Sequence, residues 1–527
     1  MSPRFFVWRR SRLMLFGATA RPTGETTDHQ GAASRRIAFA GSMTMIVLKF
    51  GGTSVGDAGR VREAAAIAAA QPTPRAVVVS AASGVTNLLL EAVGAAAEGD
   101  PFRAAERAAT IRDTHLAVAT GIEDEAERAG ALAELDQLHA ALDEALAGVG
   151  RAGVIAARDS DRIVATGEKA MSVLFAAMLR ATGTPAAHLF ADRVVATDDR
   201  FGAARPDRSR TRDQAEALVR PLLDAGLTVV LTGFIGGAPD GATTTLGRGG
   251  SDYSATLLGA ALDADEVQIW TDVPGVLSAD PRQVDDARVV PHISYDEAQE
   301  LAHFGAKVLH PRTIRPAVAR GIPVRILSTF APNEPGTLVT RESVGEGVKA
   351  VTALRGLLLL TLDVPELEDL AAASAVVFGA LHDERIEIVA ASQASSRRRM
   401  TYLVDATAHG GCARVGHLLT EALGVADVEA EVGCAEDVAL VAVVGQAAAA
   451  QPAALARFLD VLGRAEVPVL SANQQNQNVA LTAAVPSGHA ERAVRALHDA
   501  LIRPLPTSSR GRRPRRSELL AESMRVG

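Results

Sequence analysis

The sequence predicts an α/β protein: a mostly parallel central sheet with helices on both faces, followed by a smaller duplicated unit. Three observations lead there. From residue 45 to about 340, short continuous apolar runs alternate with Ala-rich stretches at helical spacing, the pattern of strands buried on both faces. After Gly345 the texture changes to strands grouped around single helices, and this grouping recurs about ninety residues later. The chain is 527 residues long, more than one ordinary core accommodates.

In the first part, strands are expected in "MIVLKF", "RAVVVSA", "TVVLTGFIG", "EVQIWTDV" and "PVRIL". Helices are expected across residues 60–70, 168–181, 213–225 and 253–262, where apolar positions recur at helical spacing. Residues 88–150, almost wholly Ala, Leu, Glu and Arg, read as a helical excursion from the sheet. In the second part, "ALRGLLLLTLDVPEL", a helix near 370–381, "DERIEIVAASQASS" and "RRMTYLVDA" form one unit. "EDVALVAVVGQ", a helix over 452–465, "EVPVLSANQQ" and "NVALTAAVP" repeat its order of strand, helix, strand, strand. The hairpins match in texture too, "IVAASQASS" against "VLSANQQNQ".

Composition narrows the function. With 48% apolar and 22% charged residues and a net charge of -8, the chain has no electrostatic pull toward nucleic acid. It has no run of 18 apolar residues to span a bilayer. Cys412 and Cys434 form neither a metal-spaced cluster nor a disulfide framework, so a reducing cytoplasm is the expected location. Residues 1–44 are Arg-rich with no acid before Glu25, and read as a disordered extension or an upstream start, with Met43 or Met45 beginning the folded protein. Residues 503–527 read as a basic disordered tail.

Lysine is rare: Lys49, Lys169, Lys307 and Lys349 are the whole set. Lys49 is the penultimate residue of the strand "IVLKF", which is followed by Gly51, Gly52 and a helix. Glycines there let backbone approach a ligand, and the N–H groups of the next helix favour an anion; a tight βα turn with a surface lysine has the same residues. "GRGGSDYSATLLGAAL" repeats the junction, with Arg248 suited to a bidentate carboxylate pair and Asp252 placed to orient a lysine. In "ATGEKAMSVLFAAML" Glu168 is either a first-turn acid or the counter-charge of a substrate ammonium. "QIWTDVPGVLSADPR" sets Thr271 and Asp272 beyond a strand's carboxyl end, where ligands of parallel sheets lie. In "FGAKVLHPRT" Lys307 offers a second compact ammonium, able to follow a moving phosphoryl group where a guanidinium is a fixed fork.

Taken in order, "KFGGTSVGD", "VVVSAASGVTNLL", "TGEKAMS", "GFIGGAPDGATTTLGRGGSDYSA", "TDVPGVLSADPR" and "FGAKVLHPRT" resemble the aspartate kinase (aspartokinase) family of the amino-acid-kinase superfamily, over roughly residues 45–502. The duplicated part resembles that family's tandem ACT domains. The resemblance implies a three-layer αβα catalytic domain over 45–340, a first ferredoxin-like (βαββαβ) ACT domain over 347–435 and a second over 436–502. Residues 347–355 are a candidate strand of either ACT domain.

The implied activity is phosphorylation of the L-aspartate side chain by ATP with Mg²⁺, the first step toward lysine, threonine and methionine. By resemblance, Lys49 and Lys307 hold the transferring phosphoryl group, Gly51 and Gly52 line its path, and Asp252 orients the lysines. Glu168 takes the substrate ammonium and Arg248 its α-carboxylate; Ser80, Ala81, Thr86, Phe234 and Gly249 complete the pocket. Thr271, Asp272, Leu277 and Arg282 lie at the nucleotide with Lys49 and Lys307, and no metal site made by side chains alone is implied. Leu277 stands where the family commonly has tyrosine, which changes the expected adenine contact. Ser392 and Gln393 are the implied effector positions, for lysine, threonine or both, and a homodimer or homotetramer through the ACT domains is implied. The alternatives are a related carboxylate kinase and a non-catalytic amino-acid sensor. No nucleic acid or membrane partner is expected.

Overall fold

A computed structural model describes residues 44–305, 311–345, 347–366, 369–394, 398–405, 409–451, 453–474 and 479–502. Lys307 and the two terminal extensions, with the expectations attached to them, lie outside the described residues.

The first part contains strands β1 (Ile46–Phe50), β2 (Arg75–Val79), β3 (Ala186–Leu189), β4 (Thr228–Thr232), β5 (Ile235–Gly237), β6 (Thr243–Thr245), β7 (Glu266–Thr271), β8 (His292–Ser294), β9 (Val324–Ser328) and β10 (Thr337–Thr340). Its helices are α1 (Ala58–Ala69), α2 (Val85–Ala97), α3 (Pro101–Ala119), α4 (Glu125–Ala152), α5 (Ala157–Val164), α6 (Thr166–Ala181), α7 (Arg208–Leu218), α8 (Arg220–Asp224), α9 (Gly250–Ala261), α10 (Tyr295–His303) and α11 (Pro311–Arg320). Eight strands form one sheet in the order β3-β4-β2-β1-β7-β9-β10-β8. The six from β3 to β9 run parallel, and only β10 lies antiparallel to its neighbour β9.

Every residue of β1, β2 and β4 is buried, which is why these strands read as unbroken apolar runs. Alternate side chains serve opposite faces. Leu48 and Phe50 join a core with α1, α2 and α6, whereas Val47 joins one with α7, α9 and α11. Phe50 packs on Phe175 of α6 and on Trp270, with centroids 5.4 and 6.1 Å apart. The excursion consists of α2, α3 and α4. Leu135, Leu142 and Val149, seven residues apart along α4, are buried in the α6-side core. Register aligns Phe50 with Val79 and Trp270, and Val79 with Thr232, so the carboxyl ends of these strands share one edge.

The second part adds β11 (Ala350–Asp363), α12 (Asp369–Asp383), β12 (Glu387–Ala394), β13 (Arg399–Asp405), α13 (Gly411–Val425), β14 (Glu431–Val444), α14 (Gln446–Ala449), α15 (Ala454–Arg464), β15 (Ser471–Gln474), β16 (Ala480–Pro486) and α16 (Ala490–Leu501). All six strands make one sheet, β12-β13-β11-β14-β16-β15. "VKAVTAL" and "ALRGLLLLTL", read as separate strands, are one. Its start, Ala350–Leu354, pairs with Leu440–Val444, and its end, 357–363, pairs with β13 and the start of β14.

Each long strand carries a bulge where it passes from one half of the sheet to the other, at Gly356 (φ +77) and Asp437 (φ +56). A one-residue insertion reverses side-chain parity. Val351 therefore enters the core under α15 and α16, while Leu358, Leu360 and Leu362 enter the core under α12 and α13. The other sheet face is continuous with the catalytic part: Leu357, Leu403, Leu440 and Ala484 share a core with Leu301 and Phe304.

One expectation is corrected. Cys412 and Cys434, 22 residues apart, are joined by a disulfide with Cα atoms 5.6 Å apart. The first turn of α13 lies against β14, and the Cys412 N–H donates to Glu436 Oε1 at 2.7 Å. Sequence spacing did not show this contact, and the inference of a reducing compartment from unpaired cysteines loses its support. Among the described residues no helix is long and apolar enough to cross a membrane.

Candidate active site

The common edge of strand ends is where chemistry-bearing residues collect. β1 delivers Lys49 and then turns at Gly51 and Gly52 into a single 3-10 turn. A Cβ on Gly52 would stand 2.9 Å from the Ala81 carbonyl oxygen, closer than a side-chain carbon tolerates, so glycine lets this turn lie against the residues after β2. Lys49 is 8% exposed, and its Nζ lies 2.7 Å from Oδ1 of Asp252 in the first turn of α9. That oxygen receives no aligned hydrogen bond, so the contact is a close ion pair.

The loop before α9 closes the opposite side. Gly247 and Gly249 take φ of +76 and +69, and the backbone of Phe234 is also left-handed at +67. A bulky residue held there stores strain, a feature that clusters at functional sites. The Leu246 N–H donating to the Phe234 carbonyl at 2.8 Å holds it.

Together these segments enclose a cavity of about 490 Å³, lined by Lys49, Gly52, residues 80–84, Thr86, Glu168, Phe234 and residues 247–252. It gathers Lys49, Gly52, Ser80, Ala81, Thr86, Glu168, Phe234, Arg248, Gly249 and Asp252 from five separate segments of the sequence. Gly51 lies just behind, its Cβ position 3.3 Å from Lys49 Nζ.

Glu168 is 3% exposed in the first turn of α6. Burial pushes its carboxyl up to about 8, against the lowering effect of hydrogen bonds from the Ala81 and Glu168 backbone. Its Oε2 is buried without a partner, so the carboxyl has an oxygen to offer a cation. Arg248 is exposed at the rim, where its guanidinium can reach an anion in the cavity mouth.

The remaining expected residues lie elsewhere. Thr271 and Asp272 follow β7, with the Thr271 hydroxyl donating to Asp272 Oδ1 at 3.0 Å. Leu277 bridges Val289 in a small ribbon beyond them. Arg282, 83% exposed, is held by both oxygens of Asp280 at 2.7 to 3.2 Å and does not line the cavity. Ser392 and Gln393 lie on β12; Ser392 borders a narrow cleft of about 20 Å³ shared with Ser471 and Asn473 of β15, so the two hairpins of like texture meet.

Sequence reading missed several participants. Ala82, Ser83, Gly84, Gly247, Gly250 and Ser251 line the cavity, and adjacency to the quoted motifs was their signal. Asp161 of α5 had none. It is 4% exposed and accepts the N–H groups of Gly202 at 2.9 Å and Thr245 at 2.7 Å, and the Thr245 hydroxyl at 2.9 Å. It thereby fixes β6, which leads into the 247–252 loop. Lys169 also has a local role: its Nζ pairs with Asp192 at 2.7 Å beside Thr243.

An ammonium and a carboxylate paired at parallel strand ends, beside close backbone and an unpartnered buried acid, are the parts of a small-molecule phosphotransferase. Residues 44–328 match the amino acid kinase family, and residues 441–501 match the ACT domain. The chain is 34% identical over 470 residues to lysine-sensitive aspartokinase 3 of Escherichia coli (strain K12), covering 87% of this chain and 99% of that protein. The solved structure of E. coli aspartokinase III with aspartate and ADP (R-state) has a TM-score of 0.72 at 32% identity, covering 87% of this chain and 100% of that one. The carrot (Daucus carota) bifunctional aspartokinase/homoserine dehydrogenase is 32% identical over 85% of this chain, which spans 50% of that protein. The chain belongs to the aspartokinases of the amino acid kinase family.

Proposed function

We propose that this chain transfers the γ-phosphoryl group of ATP to the side-chain carboxylate of L-aspartate, giving 4-phospho-L-aspartate and ADP. The observation that carries the reading is the buried carboxyl of Glu168, one oxygen unpartnered, in the same cavity as Lys49 and Arg248. Aspartate has one ammonium and two carboxylates; beside the Lys49–Asp252 pair the cavity has a second acid, Glu168, for the ammonium, and Arg248 and Lys49 are the cations for the carboxylates. Glu168 takes the α-ammonium and Arg248 the α-carboxylate, which directs the side-chain carboxylate toward Lys49. Ser80, Ala81, Thr86, Phe234 and Gly249 shape the pocket around it.

The attacking carboxylate titrates near ~4 and is already ionised at neutral pH, so no general base is required. Its oxygen bonds to the γ-phosphorus as the bond to the β–γ bridging oxygen breaks, and ADP leaves. The obstacle is like charge meeting like charge, and positioning with fixed positive charge overcomes it. Lys49, oriented by Asp252, supplies that charge where Gly51 and Gly52 admit the phosphate, and Lys307 is assigned the same task. Thr271, Asp272, Leu277 and Arg282 are assigned to the nucleotide side, with Leu277 an aliphatic neighbour for the base.

Among the described residues, the one cluster of three metal-ligating groups lies away from this cavity, at Asp286, His498 and Asp499. Mg²⁺ is therefore proposed to arrive as MgATP, held largely by the phosphates. The compartment is one supplied with ATP, the cytoplasm in the simplest case.

We assign the catalytic domain to 45–340 and the two ACT domains to 347–435 and 436–502; the ACT pair shares the six-stranded sheet, and their boundary falls within β14. Lysine is the proposed effector, supported by the lysine-sensitive relative, with threonine as the alternative, at Ser392 and Gln393. β12 and β15 are the end strands of the sheet, and edge strands suit dimer or tetramer assembly by strand pairing. The test is incubation of the purified chain with ATP, Mg²⁺ and L-aspartate, trapping the acyl phosphate with hydroxylamine. Aspartyl hydroxamate is expected; none forming would overturn the proposal.

A further inference from the structure

The ribbon beyond β7 is built into the regulatory half. Residues 276–278 and 288–290 pair antiparallel, through Ser278 N–H to the Arg288 carbonyl at 2.8 Å and Val290 N–H to the Val276 carbonyl at 2.8 Å. At its tip, Ala279 and Val284 are buried in the core of the second ACT unit, with Phe458, Leu462, Val494 and Leu497. The backbone of β11 joins in as Val351 N–H donates to the Ser278 carbonyl at 2.8 Å.

Helix α16 and its C-cap residue Ile502 hold the ribbon at three points. Arg495 Nε donates to the Gln283 carbonyl at 2.6 Å, and Arg288 Nη2 donates to the Ile502 carbonyl at 3.4 Å. Between them His498, 2% exposed, shares a hydrogen bond of 2.9 Å between its Nε2 and Ser278 Oγ. Ser278 Oγ also accepts the Arg288 N–H at 3.1 Å. This side chain thus ties both strands of the ribbon to each other and to α16. His498 Nδ1 faces Asp286 and Asp499 at 3.7 and 4.0 Å without a hydrogen bond, so among the described residues Ser278 is the ring's one hydrogen-bonded anchor.

We infer that His498 is a positioning residue for the nucleotide subsite: through Ser278 it holds the ribbon bearing Leu277 and Arg282 in register, so that ATP affinity depends on how α16 packs in the second ACT unit. This rests on the reading that assigns those two residues to the nucleotide. His498 touches no reacting atom, and the aspartate cavity shares no residue with the ribbon. Disturbing the contact therefore acts on one substrate and not the other.

The test compares the full chain with its His498→Leu, His498→Gln and Ser278→Ala variants. ATP is titrated at saturating aspartate, then aspartate at saturating ATP. His498→Leu and Ser278→Ala are expected to raise the ATP KM about three- to tenfold, the range one hydrogen bond supports, with kcat and the aspartate KM within about twofold. His498→Gln, whose amide reaches the serine, restores most of the ATP KM, which a merely structural role would not predict. Ser278→Ala leaves no sizeable void, so it decides the outcome should His498→Leu fail to fold. An unchanged ATP KM, or equal rises in both KM values, overturns the inference. Absence of hydroxamate from the unaltered chain would instead overturn the function itself.

Discussion

Lys49 Nζ and Asp252 Oδ1 lie 2.7 Å apart across the junction of β1 and α9, in a pair 10% and 19% exposed at the side chain. At that depth the carboxylate both neutralises and aims the ammonium, which long lysine stems otherwise leave mobile. Lys49→Ala is expected to lower kcat about 10²- to 10³-fold, as loss of a preorganised transition-state donor does. Asp252→Asn, which keeps the size and removes the charge, should lower it about ten- to a hundredfold by misplacing the ammonium. Circular dichroism should show both variants folded, and equal kcat values for either variant and the unaltered chain would contradict the assignment.

Arg248 is exposed at the rim, so its removal costs little stability. Arg248→Ala should raise the aspartate KM about 10- to 100-fold, the loss of a charge-assisted contact, and change the ATP KM little. Arg248→Lys should recover only part of the affinity, because an ammonium lacks the bidentate fork. Steady-state titration of aspartate at fixed ATP reads this directly; an unmoved aspartate KM would exclude the role.

Asp161 does not line the cavity, yet its carboxylate satisfies three donors, one from Gly202 and two from Thr245 of β6. Asp161→Ala leaves the two Thr245 donors buried and unpaired, so a loss of about 2–4 kcal/mol is expected, seen as a lower melting temperature. Because β6 leads into the 247–252 loop, the aspartate KM should rise as well. Asp161→Asn retains one acceptor oxygen and should fall between. A variant with unchanged melting and KM would show the contacts to be dispensable.

What was legible in the sequence followed from backbone physics. β1, β2, β4 and β7 read clearly because burial on both faces demands unbroken apolar runs. Lys49, Glu168, Arg248 and Asp252 stood out because charge beside glycine or a helix start is unusual enough to notice. The Cys412–Cys434 pair, the Asp161 anchor and the single long β11 were not legible. Each is a contact between distant segments that leaves no periodicity, and the bulge at Gly356 hides the continuity of β11 by reversing its pattern midway. The hold of Asp280 on the Arg282 guanidinium was likewise not legible from its motif.

Glu168 gives a prediction with a definite sign. Its buried carboxyl titrates at about 8, above the ordinary 4.5, so the folded chain keeps a proton there that the unfolded chain has lost. Between these values the folded state binds more protons, and stability falls as pH rises. Glu168→Gln, neutral at every pH, should match the unaltered chain in melting temperature near pH 5 and then exceed it by a widening margin that levels off above pH 8. The same titration governs substrate. Only the charged carboxylate pairs with an ammonium, so kcat/KM for aspartate should climb with pH to a plateau above about 8. In Glu168→Gln that limb should vanish and the aspartate KM rise by at least about tenfold. Melting curves and aspartate titrations from pH 5 to 9 check both halves. A melting difference constant across that range would show that the carboxyl is not raised, and an unchanged pH limb in the variant would place the ammonium elsewhere.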